Sequence, residues 1–198
     1  MQTASEFCVR HRTVIGCNRL PTFFGTLFRQ VMFIEQAELC DAQSIMGLII
    51  ACIERMRARG IHQWDEIYPN PSLVEDNIRA RSLFATRDKG TWRGSVCLND
   101  LQPNEYDSLP WRCTSGRALV VQRLCVHPDG QRHGIGRFLM KFAERFAREQ
   151  GFASIRLDAY TGNSGALALY ECLGYDRVGQ VHFPRRNLPF DCFEKILM

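Results

Sequence analysis

The chain has 198 residues and a formal net charge of +4, with 45% hydrophobic and 23% charged residues. These values are typical of one soluble globular domain with a substantial core. The longest apolar run, "IMGLIIACI", is far shorter than the roughly 20 residues of a membrane-spanning helix. Residues 32–198 also lack the clustered basic residues of a nucleic-acid-binding surface. The sequence therefore predicts neither a membrane nor a nucleic-acid partner.

Nine cysteines occur in the chain without a C-x-x-C pair or zinc-like spacing. Several lie within apolar patterns, where a free cysteine behaves as a small hydrophobic residue. We therefore expect reduced structural thiols, a reducing and cytoplasmic location, and no metal.

Residues 1–31 differ from the rest of the chain in charge. They contain four arginines against one acid, Glu6. This acid-poor, basic composition resembles a transit peptide, but we favour an N-terminal extension outside the domain, or a mis-assigned start with Met32 as the true first residue. The domain is expected to span residues 32–198.

The first half of this domain predicts a strand, two helices and a hairpin. "MFIEQA" alternates as a strand does, and apolar residues recur at helical spacing over 42–59, with Asp41 as N-cap and Gly60 at the end. The capping-box pattern Ser72-x-x-Glu75 predicts a second helix over 72–80. "SLFATR" and "TWRGSVCLN" form the hairpin.

A long loop over 100–116 follows, and then strands alternate with helices. "RALVVQRLCV" is the strongest strand pattern, and its nearly continuous apolar run indicates burial on both faces. Helices are predicted over about 134–150 and within "NSGALALYECLG", separated by the strand "FASIRLDAY". "YDRVGQVHF" and "FDCFEKIL" are the last strands. The order predicts a mixed α/β domain.

The segment "HPDGQRHGIG" joins the strongest strand to the long helix. Unpaired N–H groups at a helix N-terminus can hold phosphate, and Gly134 and Gly136 would let an anion approach the backbone. A plain strand-to-helix turn explains the glycines equally well. The Walker pattern is absent, and Leu139 stands where the dinucleotide pattern needs a third glycine.

The pattern Gln131-x-x-Gly134-x-Gly136 resembles the acetyl-CoA pyrophosphate loop of the GNAT superfamily of N-acetyltransferases. "LCVHPDG" and "NSGALALYECLGY" are also similar to segments of that family, and the resemblance covers about residues 32–198. It implies the GNAT fold, a mixed central sheet of six to seven strands with about four helices. Its central parallel strands would splay apart, here between residues 123–126 and 155–160.

The resemblance also implies a site for acetyl-CoA as cosubstrate. Backbone groups of the strand end would hold the pantetheine arm, and the loop amides would hold the pyrophosphate. Asn163 could cap its helix and contact the cosubstrate. The implied binding residues are Leu124, Cys125, Val126, Gln131, Arg132, His133, Gly134, Ile135, Gly136, Arg137 and Asn163.

Tyr170 matches the tyrosine that members of the family often use as general acid, here for protonating the departing CoA thiolate. From residue type alone, we would favour a tyrosine packed within its helix, and the resemblance reverses this preference. The general base stays open among four residues that can accept a proton. They are Glu66, Glu105, His127 and Asp158.

The acceptor would be a primary amine of a small molecule or a peptide, contacted by residues 61–70 and 183–190. Trp64 and Tyr68 could line its pocket or pack in the core. Arg185 and Arg186 could bind an acidic acceptor or be solvated turn residues. The rival interpretation is a non-catalytic acyl-CoA-binding module. Because GNAT domains often dimerise, the resemblance also allows a homodimer, although no sequence feature determines the oligomeric state.

Overall fold

The computed structural model describes residues 32–197, so the expectation for residues 1–31 lies outside its described part. Its seven strands and four helices follow one another in the order that the sequence predicts. The strands are β1 Phe33–Gln36, β2 Leu83–Asp88, β3 Thr91–Asn99, β4 Ala118–Val126, β5 Ser154–Tyr160, β6 Asp176–Val181 and β7 Phe190–Ile196. The helices are α1 Ala42–Arg57, α2 Pro71–Arg79, α3 Ile135–Glu149 and α4 Ser164–Cys172.

One predicted helix start needs correction, and one predicted N-cap residue is confirmed in position but forms no capping hydrogen bond. The capping box Ser72–Glu75 is wrong, because α2 begins one residue earlier, at Pro71, and its N-cap is Asn70. The Asn70 side chain accepts a hydrogen bond from the Leu73 N–H at 2.9 Å. Asp41 does occupy the N-cap of α1, but its carboxylate turns back to the Glu38 N–H at 3.0 Å and caps no N–H of α1.

One mixed sheet runs through the domain in the order β1-β2-β3-β4-β5-β7-β6, and only β4 and β5 are parallel neighbours. Helices α1 and α2 pack on one face around Ile45, Ile49 and Trp64. Helices α3 and α4 pack on the other face, where Leu139 and Met140 are fully buried. Within residues 32–197, no helix is both long and apolar enough to cross a bilayer.

The central parallel pair is short. Only residues 118–120 of β4 pair with residues 154–156 of β5, after which the two strands separate. The splay predicted at this place is confirmed, but Ile155 and Arg156 are paired, so the gap begins two residues later on β5 than expected. The peptide groups on the facing edges of β4 and β5 have no strand partner beyond this point.

A buried ion pair lies where the strands separate. Arg156 is the last paired residue of β5, and it faces Val120 on one side and Glu194 of β7 on the other. Its Nε is 3.1 Å from Glu194 Oε1, and the Glu194 side chain is 1% exposed. The second carboxylate oxygen accepts the backbone N–H groups of Arg112 and Cys113. This pair therefore fixes the 100–116 loop to the sheet.

Removing the carboxylate should destabilise the fold. We expect Glu194→Ala to lower the free energy of unfolding by about 3–5 kcal/mol, because Arg156 would remain buried without a counter-charge. Urea denaturation measures the change. In the control Glu171→Ala, which removes an exposed partner of Arg177, the expected loss is at most about 1 kcal/mol. Equal losses in both variants would contradict this account.

Candidate active site

A groove of about 940 Å³ occupies the gap between β4 and β5. The structure brings nearly all the predicted site residues together along it. Its walls include Leu124, Cys125, Val126, Gln131, Arg132, Gly134, Ile135, Gly136, Arg137, Asn163 and Tyr170. His133 is exposed and does not line the groove.

The N-terminus of α3 opens into this groove. Gly134 is its N-cap residue with φ of 82°, a left-handed conformation that favours glycine, and open space surrounds the position of a β-carbon. At Gly136, a β-carbon would lie 3.2 Å from Leu169 of α4. Arg132 and Arg137 are exposed beside these glycines. Free N–H groups and two guanidinium groups fit an anionic phosphate.

The first part of the loop is a structural turn. Residues Pro128–Gly130 form one turn of 3₁₀ helix, and the Nδ1 atom of His127 accepts a hydrogen bond from the Asp129 N–H at 3.3 Å. A β-carbon at Gly130 would lie only 2.8 Å from Ile135, so a side chain does not fit there. His127 does not line the groove.

Gln131 connects this turn to the end of β4. Its side-chain amide donates to the Val126 carbonyl oxygen at 3.2 Å, and the Cys52 thiol donates to the same oxygen at 3.3 Å. The Gln131 side chain therefore holds the loop against the strand end.

Tyr170 presents its hydroxyl from α4. The ring is buried against Tyr175 and Phe193, while the residue lines the groove. Within residues 32–197 the hydroxyl makes no hydrogen bond. Burial, and then the nearby Asp158 carboxylate, raise the pKa of Tyr170 well above its ordinary value near 10. The phenol is therefore protonated at neutral pH.

Asn163 begins the same helix. Its side-chain oxygen accepts from the Ala166 N–H at 3.3 Å, and its amide donates to the Gln63 side chain at 3.0 Å. Asn163 thus caps α4, as predicted, and also links α4 to the connection between α1 and α2.

Among the four candidate bases, only Asp158 lines the groove. Its Oδ1 accepts a hydrogen bond from the Tyr106 hydroxyl at 2.8 Å. Burial raises the pKa of Asp158 to about 6, although the Tyr106 hydrogen bond and the Arg123 charge act in the opposite direction. Glu66 is 74% exposed and pairs with Arg57 outside the groove.

The two segments predicted to contact the acceptor are joined by ion pairs. Asp65 Oδ2 lies 2.5 Å from Arg185 Nη2 and 2.7 Å from Arg186 Nη1. Burial alone would raise the pKa of Asp65, but hydrogen bonds from Arg186, from the N–H groups of Ile67 and Tyr68, and from Arg185 lower it well below its ordinary value. We call this contact the Asp65 bridge. Neither arginine is a free turn residue.

Trp64 and Tyr68 both line the groove, and Trp64 is also buried in the core below α1. Sequence reasoning missed three further residues of the site, namely Asp65, Tyr106 and Arg123. Each belongs to the site through a partner more than 20 residues away. Local spacing carries no signal for such contacts.

Two further observations concern metals and thiols. No group of three or more His, Cys, Asp and Glu side chains in the described part of the chain is arranged to hold a metal ion. All seven cysteines between residues 32 and 197 are free thiols.

Comparison with known proteins shows the family. The sequence model described as "Acetyltransferase (GNAT) family" matches residues 51–175. An uncharacterized N-acetyltransferase of Bacillus subtilis, YesJ, is 25% identical over 142 residues, which are 70% of this chain and 78% of that protein.

Solved structures share the fold. A GNAT-family acetyltransferase from Streptococcus agalactiae superposes with a TM-score of 0.72 at 20% identity, covering 83% of this chain and 95% of that one. An acetyltransferase from Salmonella typhimurium, solved with its cofactor acetyl-CoA, gives 0.64 at 17% identity, covering 85% and 95%. The chain therefore belongs to the GNAT acetyltransferase family, whose members are acyltransferases.

The raised pKa of Asp158 predicts a pH-dependent stability. Because the folded-state pKa is near 6 and the ordinary value is 3.8, the wild type should lose stability as pH rises through this interval. We expect Asp158→Asn to be the more stable protein at pH 8, by about 1–3 kcal/mol, with the difference vanishing near pH 3.5. Denaturant unfolding at several pH values measures this. A wild type that is more stable than the variant at pH 8 would contradict the burial of an ionised carboxylate.

Proposed function

We propose that the protein is an acetyl-CoA-dependent N-acetyltransferase that transfers the acetyl group directly to a primary amine. The observation that carries this proposal is the shared groove: the N-terminus of α3, the free edges of β4 and β5, Asp158 and Tyr170 all face it. A phosphate cradle, a slot for an extended arm and two proton-transfer groups thus lie along one cavity.

The donor would bind with its pyrophosphate at the N–H groups of residues 132–137 and its pantetheine arm between the separated strands. Backbone groups of Leu124, Cys125 and Val126 edge this gap. A backbone N–H here would polarise the thioester carbonyl, because a fixed dipole stabilises charge that develops on oxygen. Since these contacts use the backbone, the side chains at 124–126 can serve packing.

In the transfer, Asp158 acts as general base and Tyr170 as general acid. Asp158 removes a proton from the acceptor ammonium, whose nitrogen then forms a bond to the acetyl carbonyl carbon. The carbon–sulfur bond breaks, and the Tyr170 hydroxyl protonates the departing thiolate. The amide nitrogen then loses its remaining extra proton to solvent, Asp158 releases the proton that it accepted, and solvent reprotonates the phenolate.

The two groups would also affect each other. The negative charge of Asp158 is one cause of the raised pKa of Tyr170. When Asp158 accepts the substrate proton, this charge disappears and the phenol becomes a stronger acid. The proton uptake at one end of the reaction therefore favours the proton release that the leaving group needs.

The Asp65 bridge favours a small acceptor over a protein. It joins residues 61–70 to the turn at 183–190 beside the groove, where an extended peptide would need an open path. We also propose a reducing, cytoplasmic location, which the free thiols fit.

Replacing the acid should impair chemistry and spare binding. For Tyr170→Phe we expect CoA thiol release, assayed with acetyl-CoA and a panel of primary amines, to fall about 100-fold or more in kcat, with acetyl-CoA affinity retained. The control Tyr175→Phe removes a neighbouring buried hydroxyl outside the groove and should keep the wild-type rate. A full rate for Tyr170→Phe would refute the acid role. Acetyl-CoA binding without acceptor-dependent thiol release would indicate a binding module.

The pH profile tests the base. We expect kcat of the wild type to rise as pH increases through about 6, because Asp158 must be ionised to accept a proton. Asp158→Asn should lose this limb and most of the rate. Because the Glu105 charge raises the pKa of Asp158, the control Glu105→Gln should keep the limb and move it to lower pH. An unchanged limb in Asp158→Asn would assign the base to another group.

A further inference from the structure

Arg123 has an unusual position in the groove. It lies in a β-bulge of β4, between the pairs Cys97–Gln122 and Ser95–Cys125. Its φ is 50°, a left-handed conformation that is unfavourable for a residue other than glycine. Strained backbone of this kind is destabilising and persists only where the surrounding structure enforces it. Such residues cluster at functional sites.

The guanidinium group has neutral partners only. Nη1 donates to the Tyr68 hydroxyl at 3.1 Å, and Nη2 donates to Asn77 Oδ1 at 3.1 Å and to the Cys97 sulfur at 3.2 Å. None of the ion pairs formed by residues 32–197 includes Arg123. Its Nε is buried and has no hydrogen-bond partner.

The other arginines of the groove are either paired or exposed to water. Arg185 and Arg186 share Asp65, whereas Arg55, Arg59, Arg132 and Arg137 are exposed. A guanidinium group stays protonated in proteins, so Arg123 cannot lose its charge to escape burial. Arg123 is therefore a half-buried cation in the groove wall, and no carboxylate of the described residues contacts it as a counter-ion. Its charge acts on Asp158, but the two side chains form no ion pair.

We infer that this counter-ion is a carboxylate of the acceptor: the substrate is a small amine that carries a carboxylate, as an amino acid does. This inference rests on the proposed function. Arg123 and the Tyr68 hydroxyl, which accepts from Arg123 and can still donate, bind the carboxylate. The ammonium group of the same molecule lies toward Asp158. The Arg123 charge lowers the pKa of Asp158, so the two side chains are close enough to interact electrostatically.

The two charged groups of this wall favour a zwitterion. Arg123 and Asp158 have opposite charges and line the same cavity, so one can bind a carboxylate and the other an ammonium group of the same molecule. A polycationic amine would place a positive charge against Arg123 and is disfavoured.

The test compares amino acids with their carboxamides, which keep the amine and lose the negative charge. Calorimetric titration of the CoA-saturated protein should show tighter binding of at least one amino acid than of its amide, by roughly 10- to 100-fold. Arg123→Gln should abolish this preference, and Arg123→Lys should retain part of it. The control Arg79→Gln removes an exposed charge on α2 and should leave the preference unchanged.

Thermal melting and acetyl-CoA affinity establish that each variant is folded. If Arg123→Gln fails that check, Arg123→Lys and Tyr68→Phe decide, and each should reduce the preference several-fold. Equal binding of every amino acid and its amide to the wild type overturns the inference, as does a preference that survives in Arg123→Gln. Binding selectivity without thiol release would refute the proposed function, and only the binding of an amino carboxylate at Arg123 would remain of this inference.

Discussion

The separation of two parallel strands after three residue pairs is the constraint on which the rest of the structure depends. Separating two strands leaves backbone N–H and C=O groups without partners along the two facing edges, which is unfavourable. Here β4 and β5 stay in place because each remains paired on its outer side, β4 with β3 and β5 with β7. Arg156 and Glu194 lie at the last paired step, where both side chains are largely buried and Arg156 also donates to the Cys113 carbonyl oxygen of the loop. Their mutual attraction, together with the loop amides bound to Glu194, holds the point from which β4 and β5 separate.

The groove that results has two chemically different ends. At one end, the N-terminus of α3 supplies backbone N–H groups and exposed arginines. At the other end, Asp158, Arg123 and Tyr68 supply charged and polar side chains on a partly enclosed wall. In the proposed function, donor recognition through the backbone would tolerate side-chain change, whereas acceptor recognition would depend on individual side chains. This division explains how one fold can keep its donor while its acceptor varies.

Sequence reasoning predicted the elements of this domain because hydrophobic period and turn residues are local signals. The glycines at 134 and 136, and Tyr170, were identified through a resemblance that rests on short motifs. Asp158 could not be separated from the other acids, since its burial and its bond to Tyr106, 52 residues away, exist only in the fold. Arg123 was missed for the same reason, because its strain and its lack of a counter-ion are properties of the bulge.

Gly136 has a wider consequence than room for an anion. A β-carbon at this position would lie 3.2 Å from the Leu169 side chain, closer than ordinary van der Waals contact, and Leu169 directly precedes Tyr170 on α4. The first turn of α3 therefore lies close to the helix that presents the phenol. In evolutionary terms, positions 136 and 169 are coupled, because a larger residue at the first requires the side chain at the second to shift or to become smaller.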